Sequence, residues 1–262
     1  MRIEERLRES AAGLGGAHPA VVAARGSHSY TELDCKSERL AAALQAGGVR
    51  RGDSVMMFMD DGWEAVVSVF AVLKAGGVLA PVGAGATAAA LSEALQEGQP
   101  VAIVTQSRLA TMVAAAISSV WSVRLIVLAG GDRARAGGTC ISFEEAVTRV
   151  GRVAPLATPG ADTDPAVQFS GEAPLTHRQI AEDTTAAANC GEGILLPPLA
   201  ERSGFSRLLA AIGGGRTMIA RLPFVHNEAE RRIVDVRPAA PRLRILGSAN
   251  TAMAGATPVF QR

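Results

Sequence analysis

The stretch from Ser29 to Val82, SYTELDCKSERLAAALQAGGVRRGDSVMMFMDDGWEAVVSVFAVLKAGGVLAPV, decides the reading of this chain. It alternates two helical patterns with two short apolar runs. Thr31 with Asp34 three positions on has the form of a capping signature. Behind it Leu33, Leu40, Ala43 and Leu44 keep the spacing of one helical face until Gly47-Gly48 ends the pattern. Residues 54–59 are a nearly unbroken apolar run, as expected of a strand buried on both faces. A second helix is expected over 62–74 and a second strand over 78–81. Strand, helix and strand at this spacing form the unit of a parallel sheet with crossover helices.

The same unit recurs outward from this stretch. Further helices are expected over residues 2–12, 87–96, 107–118, 142–150, 176–189, 202–212 and 227–233. Further strands are expected over 20–24, 27–30, 101–105, 124–128, 166–169, 193–196, 216–220 and 243–246. Residues 151–165 shift to Pro, Ala, Thr and Asp and read as a linker. The most apolar stretch, 65–91, is interrupted by Lys74, Gly76-Gly77 and Pro81. A spanning helix needs about 20 uninterrupted apolar residues, so no membrane span is expected.

Composition narrows the function. The chain has 262 residues, 48% apolar and 19% charged, enough for one or two α/β domains with a sizeable core. A net charge of +1 gives no basic excess for a nucleic acid, so none is expected as a partner. Cys35, Cys140 and Cys190 are isolated, which reads as reduced thiols in a cytoplasmic protein without structural zinc. The charged N-terminus has no apolar h-region and does not read as a secretory signal. Among 26 basic residues only Lys36 and Lys74 are lysines. A Schiff-base lysine or a P-loop lysine beyond position 74 is therefore excluded.

Few constellations carry chemistry. Ser170 follows an expected strand and His177 lies close behind, but Phe169-Ser170-Gly171 is not GxSxG, and nucleophilic triads assemble from separate elements. Gly213-Gly214-Gly215 stands between a helix and a strand, the wrong order for a phosphate cradle. His18, His28, His177 and His226 share no metal-ligand spacing, so no metal site is expected. The adjacent pairs Asp60-Asp61 and Glu144-Glu145 point apart on either a helix or a strand.

One ordered set of segments resembles a known family. Tyr30 to Leu33, then Gly48-Val49 with Gly52-Asp53 and Val55, then Leu73 to Val78 and Pro81 are similar to the opening of the adenylate-forming enzymes. That superfamily includes AMP-dependent acyl-CoA synthetases, luciferases and peptide-synthetase adenylation domains. VAIVTQS, RLIVLAG, ISFEEAV and LTHRQI (Leu175–Ile180) resemble later family segments, as does LRILGSANTAM (Leu243–Met253). The likeness runs over roughly residues 17–253, about half of a family member.

The resemblance implies an α/β fold of two similar, doubly wound, mostly parallel sheets with flanking helices. It is the fold of the family's large N-terminal domain, without its barrel or C-terminal domain. Residues 17–77 with 193–246 are expected to form one subdomain and 78–192 the other, after an N-terminal helix at 1–16 and before a tail at 247–262. The family's Ser/Thr/Gly-rich loop ending Pro-Lys-Gly, which closes over the ATP phosphates, is replaced by SGEAP ahead of Leu175. The family's His after LPLF is missing behind Pro198-Leu199, and the adenine, ribose and C-terminal lysine motifs are not found.

Accordingly no catalytic residue is assigned. Ser170, Gly171, Thr176, His177, Pro198, Gly247, Ser248 and Ala249 are candidates for a residual pocket, since they match family pocket segments. ATP or AMP, Mg and CoA are the family's cofactors, and none is expected to bind here. The expected role is non-catalytic binding or assembly, as a homo-oligomer or with a protein partner such as a carrier protein or ligase fragment. The alternatives are an acyl- or nucleotide-binding subunit completed by a partner chain and, as an outlier, a serine hydrolase using Ser170.

Overall fold

The computed structural model of the chain describes residues 2–24, 26–131, 139–149, 161–186 and 194–220. The expected helix at 227–233, the strand at 243–246 and the tail at 247–262 lie outside them.

Two sheets organise the described residues. The larger begins with β3 (Ser54–Met59), the apolar run of the opening stretch. It pairs in parallel with β4 (Val78–Gly83) on one side and β5 (Ala102–Gln106) on the other. Beyond β5 lie β6 (Leu125–Ala129) and β7 (Cys140–Ser142); beyond β4 lie β8 (Pro165–Val167) and β9 (Leu175–Thr176). All are parallel except β9, which is antiparallel to β8. The smaller sheet joins β1 (Pro19–Ala23) and β2 (Gly26–Ser29) to β10 (Ile194–Leu195) and β11 (Met218–Ile219) in the order β10-β11-β1-β2. Among the described residues there is no closed barrel.

These pairings do not follow the division at residue 77. Six residues of β3 are in register with β4, so β3 sits at the centre of the larger sheet rather than with β1 and β2. An apolar run can be seated only where both faces are covered. Val55, Met57 and Met59 enter the core shared with α3, while Met56 and Phe58 enter a second core under α4 (Ala88–Gly98) and α5 (Ala110–Ile117).

The helix α3 (Trp63–Lys74) touches β1 of one sheet and β3 and β4 of the other. That position explains WEAVVSVFAVLK, in which every residue from Ala65 to Lys74 is buried and no polar face is left. Its one cation is held by α2 (Tyr30–Ala46): Lys74 Nζ donates to Asp34, to the Asp34 carbonyl at 2.9 Å and to Ser37 Oγ at 2.8 Å. Burial pushes the Lys74 ammonium down from its ordinary value while Asp34 opposes the shift. The cap of α2 is Ser29, two residues before the expected Thr31: Ser29 Oγ accepts from Glu32 N, and Glu32 reaches back to Ser29 N at 2.8 Å. Glu32 completes a capping box with Ser29, so Tyr30 is helical rather than extended.

Four further helices frame the sites. The helix α1 (Ile3–Gly13) packs on α2, α3, α7 (His177–Ala186) and α8 (Arg202–Gly213), and α6 (Phe143–Thr148) follows β7. Gly204 fixes the start of α8, because a Cβ there would stand 1.9 Å from the Pro198 carbonyl oxygen.

Candidate functional site

In parallel α/β sheets ligands gather beyond the carboxyl ends of the strands. At that end of β8 the chain runs through Phe169, Ser170, Gly171, Glu172, Ala173 and Pro174 into β9. Phe169 is buried against Phe205, but residues 170–174 are all exposed. Glu172 N donates to the Phe169 carbonyl at 3.0 Å, and Gly171 takes a φ of +72°, which makes this segment a tight turn rather than an extended phosphate loop. Its single charge is the Glu172 carboxylate, 3.9 Å from Arg202. Ser170 borders a recess lined with Met56, Ala80, Phe169 and neighbours, of about 20 Å³, room for one water molecule and far below a nucleotide.

The remaining candidates are dispersed. Thr176 caps α7: its N–H and hydroxyl both donate to Gln179 Oε1 at 2.9 and 3.1 Å, and its Oγ1 accepts from Gln179 N. Pro198 packs its carbonyl against Gly204, and the following Leu199 N donates to Asp61 Oδ1 at 2.9 Å, tying this segment to the end of β3. Gly247, Ser248 and Ala249 lie outside the described residues.

His177 is not beside Ser170 but beneath α1, 1% exposed, where Nδ1 accepts from Ile3 N at 3.3 Å. Burial, with the Arg2 guanidinium adding to it, pushes the imidazole down to about 4, so it is neutral. The two residues line separate cavities, and no Ser–His dyad forms.

His177 instead belongs to a charged cluster at the opposite end of β8. A cavity of about 300 Å³ is lined by Arg2, Arg51, Gly52, Gly76, Asp164, Pro165 and His177. Arg51 gives Nε and Nη2 to Asp164 Oδ2 at 3.0 and 2.6 Å. Arg2 pairs with Glu4 through Nε and reaches the Leu73 carbonyl with Nη2 at 3.4 Å. The Glu4 carboxyl is driven up by burial, and its Oε2 is buried without a hydrogen-bond partner, 3.5 Å from His177 Nδ1. No sequence signal marks this cluster, since Arg51 and Asp164 stand 113 positions apart.

Both lysines are engaged in packing. Lys74 is buried on α2, and Lys36 Nζ lies 4.7 Å over the Trp63 ring. Among the described residues no group of His, Cys, Asp and Glu is placed to hold a metal ion, and no helix is long and apolar enough to cross a membrane.

This arrangement of sheets and helices is that of the N-terminal domain of adenylate-forming enzymes. The model of the AMP-binding enzyme family matches residues 7–188, and the chain belongs to that family. Phenyloxazoline synthase MbtB of Mycobacterium tuberculosis is 43% identical over 65 residues, which are 25% of this chain and 5% of that protein. The crystal structure of a putative long-chain-fatty-acid CoA ligase from Rhodopseudomonas palustris aligns over 84% of this chain and 57% of its own, with TM-score 0.72 and 20% identity. The apo structure of Mycobacterium smegmatis MbtA aligns over 84% and 43%, with TM-score 0.73 and 25% identity. The chain thus spans about half of these solved relatives and a small part of the curated ones.

The family implies a nucleotide, and the residues between β8 and β9 do not fit its phosphates. They form an exposed turn carrying a carboxylate over a recess of one water.

Proposed function

We propose that this chain is a non-catalytic member of the AMP-binding family that acts by binding or assembly. The observation that carries this reading is the β8–β9 turn, where Glu172 is the only charged group before His177 and no Lys or Arg occurs from 165 to 177. Adenylate formation develops negative charge on the departing pyrophosphate. Loss of one preorganised donor to such charge costs about 3–4 kcal/mol, and a carboxylate in its place adds repulsion. Both lysines are engaged in packing and supply no substitute.

The occupant we favour is a second copy or a protein partner, a carrier protein or a ligase fragment among them. The free thiol of the exposed Cys35 fits a reducing compartment, and we take the cytoplasm as its location. The alternative is a subunit that offers an acyl or nucleotide pocket to a partner chain. ATP–pyrophosphate exchange with carboxylic acids, including aryl and amino acids, is expected to stay at the level of heat-denatured protein. Saturable exchange above that level overturns the proposal. A saturable thermal shift with AMP, ATP, CoA or a fatty acid, without exchange, selects the subunit reading.

A further inference from the structure

The cavity beneath α1 shares no lining residue with the Ser170 recess, and its volume of about 300 Å³ is that of a small-molecule site. Its wall contains one buried cation, the Arg2 guanidinium, 6% exposed, beside the neutral His177 imidazole, 1% exposed. The guanidiniums are underused. Arg2 Nη1 stands 3.6 Å from Asp164 Oδ2, beyond hydrogen-bond reach. Arg51 donates through Nε and Nη2 to that same oxygen, and its Nη1 has no acceptor among the described residues. One carboxylate oxygen therefore faces two guanidiniums. The Glu4 carboxyl, paired with Arg2 Nε, is pushed up by burial while Arg2 opposes the shift. Arg178 is balanced by Asp162 at 2.9 Å, and neither lines the cavity.

The rim leaves the wall accessible. Gly52 and Gly76 turn there at φ of +84° and +81°, conformations that favour glycine. The Arg51 side chain is 54% exposed, free to exchange Asp164 for another acceptor. We propose that this cavity is a binding site for a small oxyanion, a carboxylate or a phosphate, gripped by the guanidinium forks of Arg51 and Arg2. The planar fork matches two oxygens of either group, which a point-charge ammonium does not. The site stands independently of the fate of the β8–β9 turn.

Isothermal titration of the full chain with inorganic phosphate and, separately, with acetate and succinate tests this, with sodium chloride at equal ionic strength as the blank. Saturable heat with phosphate or a carboxylate is expected. Arg51→Ala should weaken that affinity at least tenfold, while the exposed neighbour Arg50→Ala, outside the lining, should leave it unchanged. Asp164→Asn should tighten it several-fold by releasing both guanidiniums. Binding of phosphate alone assigns the site to phosphate esters, and binding of carboxylates alone to organic acids. Heat no greater than the chloride blank with every anion overturns the proposal. So does an affinity that survives Arg51→Ala in protein whose circular dichroism is unchanged.

Discussion

The two ends of β8 differ in what surrounds them. At the carboxyl end, where phosphate chemistry is expected, there is an exposed turn, one carboxylate and space for a water molecule. At the amino end, Asp164 holds Arg51 and faces Arg2 and His177 around a cavity of about 300 Å³. The difference is one of support. Residues 170–174 lie outside any packed layer, whereas the cavity is roofed by α1 and floored by the turns into β3, β4 and β8. Charge persists where the structure encloses and pairs it.

The largest effect expected from breaking this contrast is at Arg2. Arg2→Met removes the cation that faces Glu4 and Asp164 while leaving both carboxyl groups in place. Removing one partner of a buried pair costs about 3–5 kcal/mol. Urea denaturation should show a loss of that order, smaller at low pH, where the Glu4 carboxyl, its value raised by burial, is neutral.

His177 gives the next largest effect, and it depends on pH. Its folded value of about 4 lies below the ordinary 6.5, so the unfolded chain takes up the proton first. The stabilisation from a neutral His177 is complete above pH 6.5 and is lost as the pH falls toward 4, up to about 3 kcal/mol. Glu4 acts in the opposite sense, because its folded value is raised: its contribution is full below 4.5 and is lost as the pH rises. Glu4→Gln should therefore steepen the acid limb of the stability curve, and His177→Asn in that background should flatten it. Chemical denaturation from pH 4 to 7.5 reads both slopes.

How much of this was legible in the sequence depends on length and on distance along the chain. The β3–α3–β4 unit is legible because an unbroken apolar run needs cover on both faces, and β3, with α3 on one side and α4 and α5 on the other, has it. The β7 strand at Cys140–Ser142 and β9 at Leu175–Thr176 carry three and two residues, too few for any period to register. The cap of α2 moved because Ser29 and Thr31 both precede acidic residues at the right spacing, and only geometry selects between them. Ser170 and Gly171 were located through the order of family segments, and their exposure follows from the short turn. His177 is a candidate through the same family resemblance, yet β9 reverses the chain and carries it to the other end of β8. Arg2, Arg51 and Asp164 meet only through the fold.

The start of α8 is fixed by packing rather than charge, and Gly204→Ala tests that point. The added methyl would stand 1.9 Å from the Pro198 carbonyl oxygen, a backbone atom that cannot rotate away. Overpacking of this kind costs about 1–3 kcal/mol. The loss should be independent of pH between 4 and 7.5, unlike that of the Arg2 and His177 variants.

The smallest expected effect is the one that tests whether the turn could regain its family chemistry. Glu172→Lys replaces the exposed carboxylate with the cation that the family places in this region, and among the described residues it gives up one ion pair, the 3.9 Å contact to Arg202. Exposed pairs at that distance contribute about 0–1 kcal/mol, so the unfolding midpoint should hardly move. Pyrophosphate affinity should rise only a few-fold and fall again with salt, because an ammonium on an exposed turn acts through screened water. ATP–pyrophosphate exchange should remain absent. A lysine stabilises a leaving pyrophosphate when the surrounding backbone donors are already aimed at it, and Glu172 N is turned inward to the Phe169 carbonyl at 3.0 Å. Exchange activity in this single variant would mean that the turn opens readily into a phosphate cradle, and the contrast between the two ends of β8 would then rest on one residue.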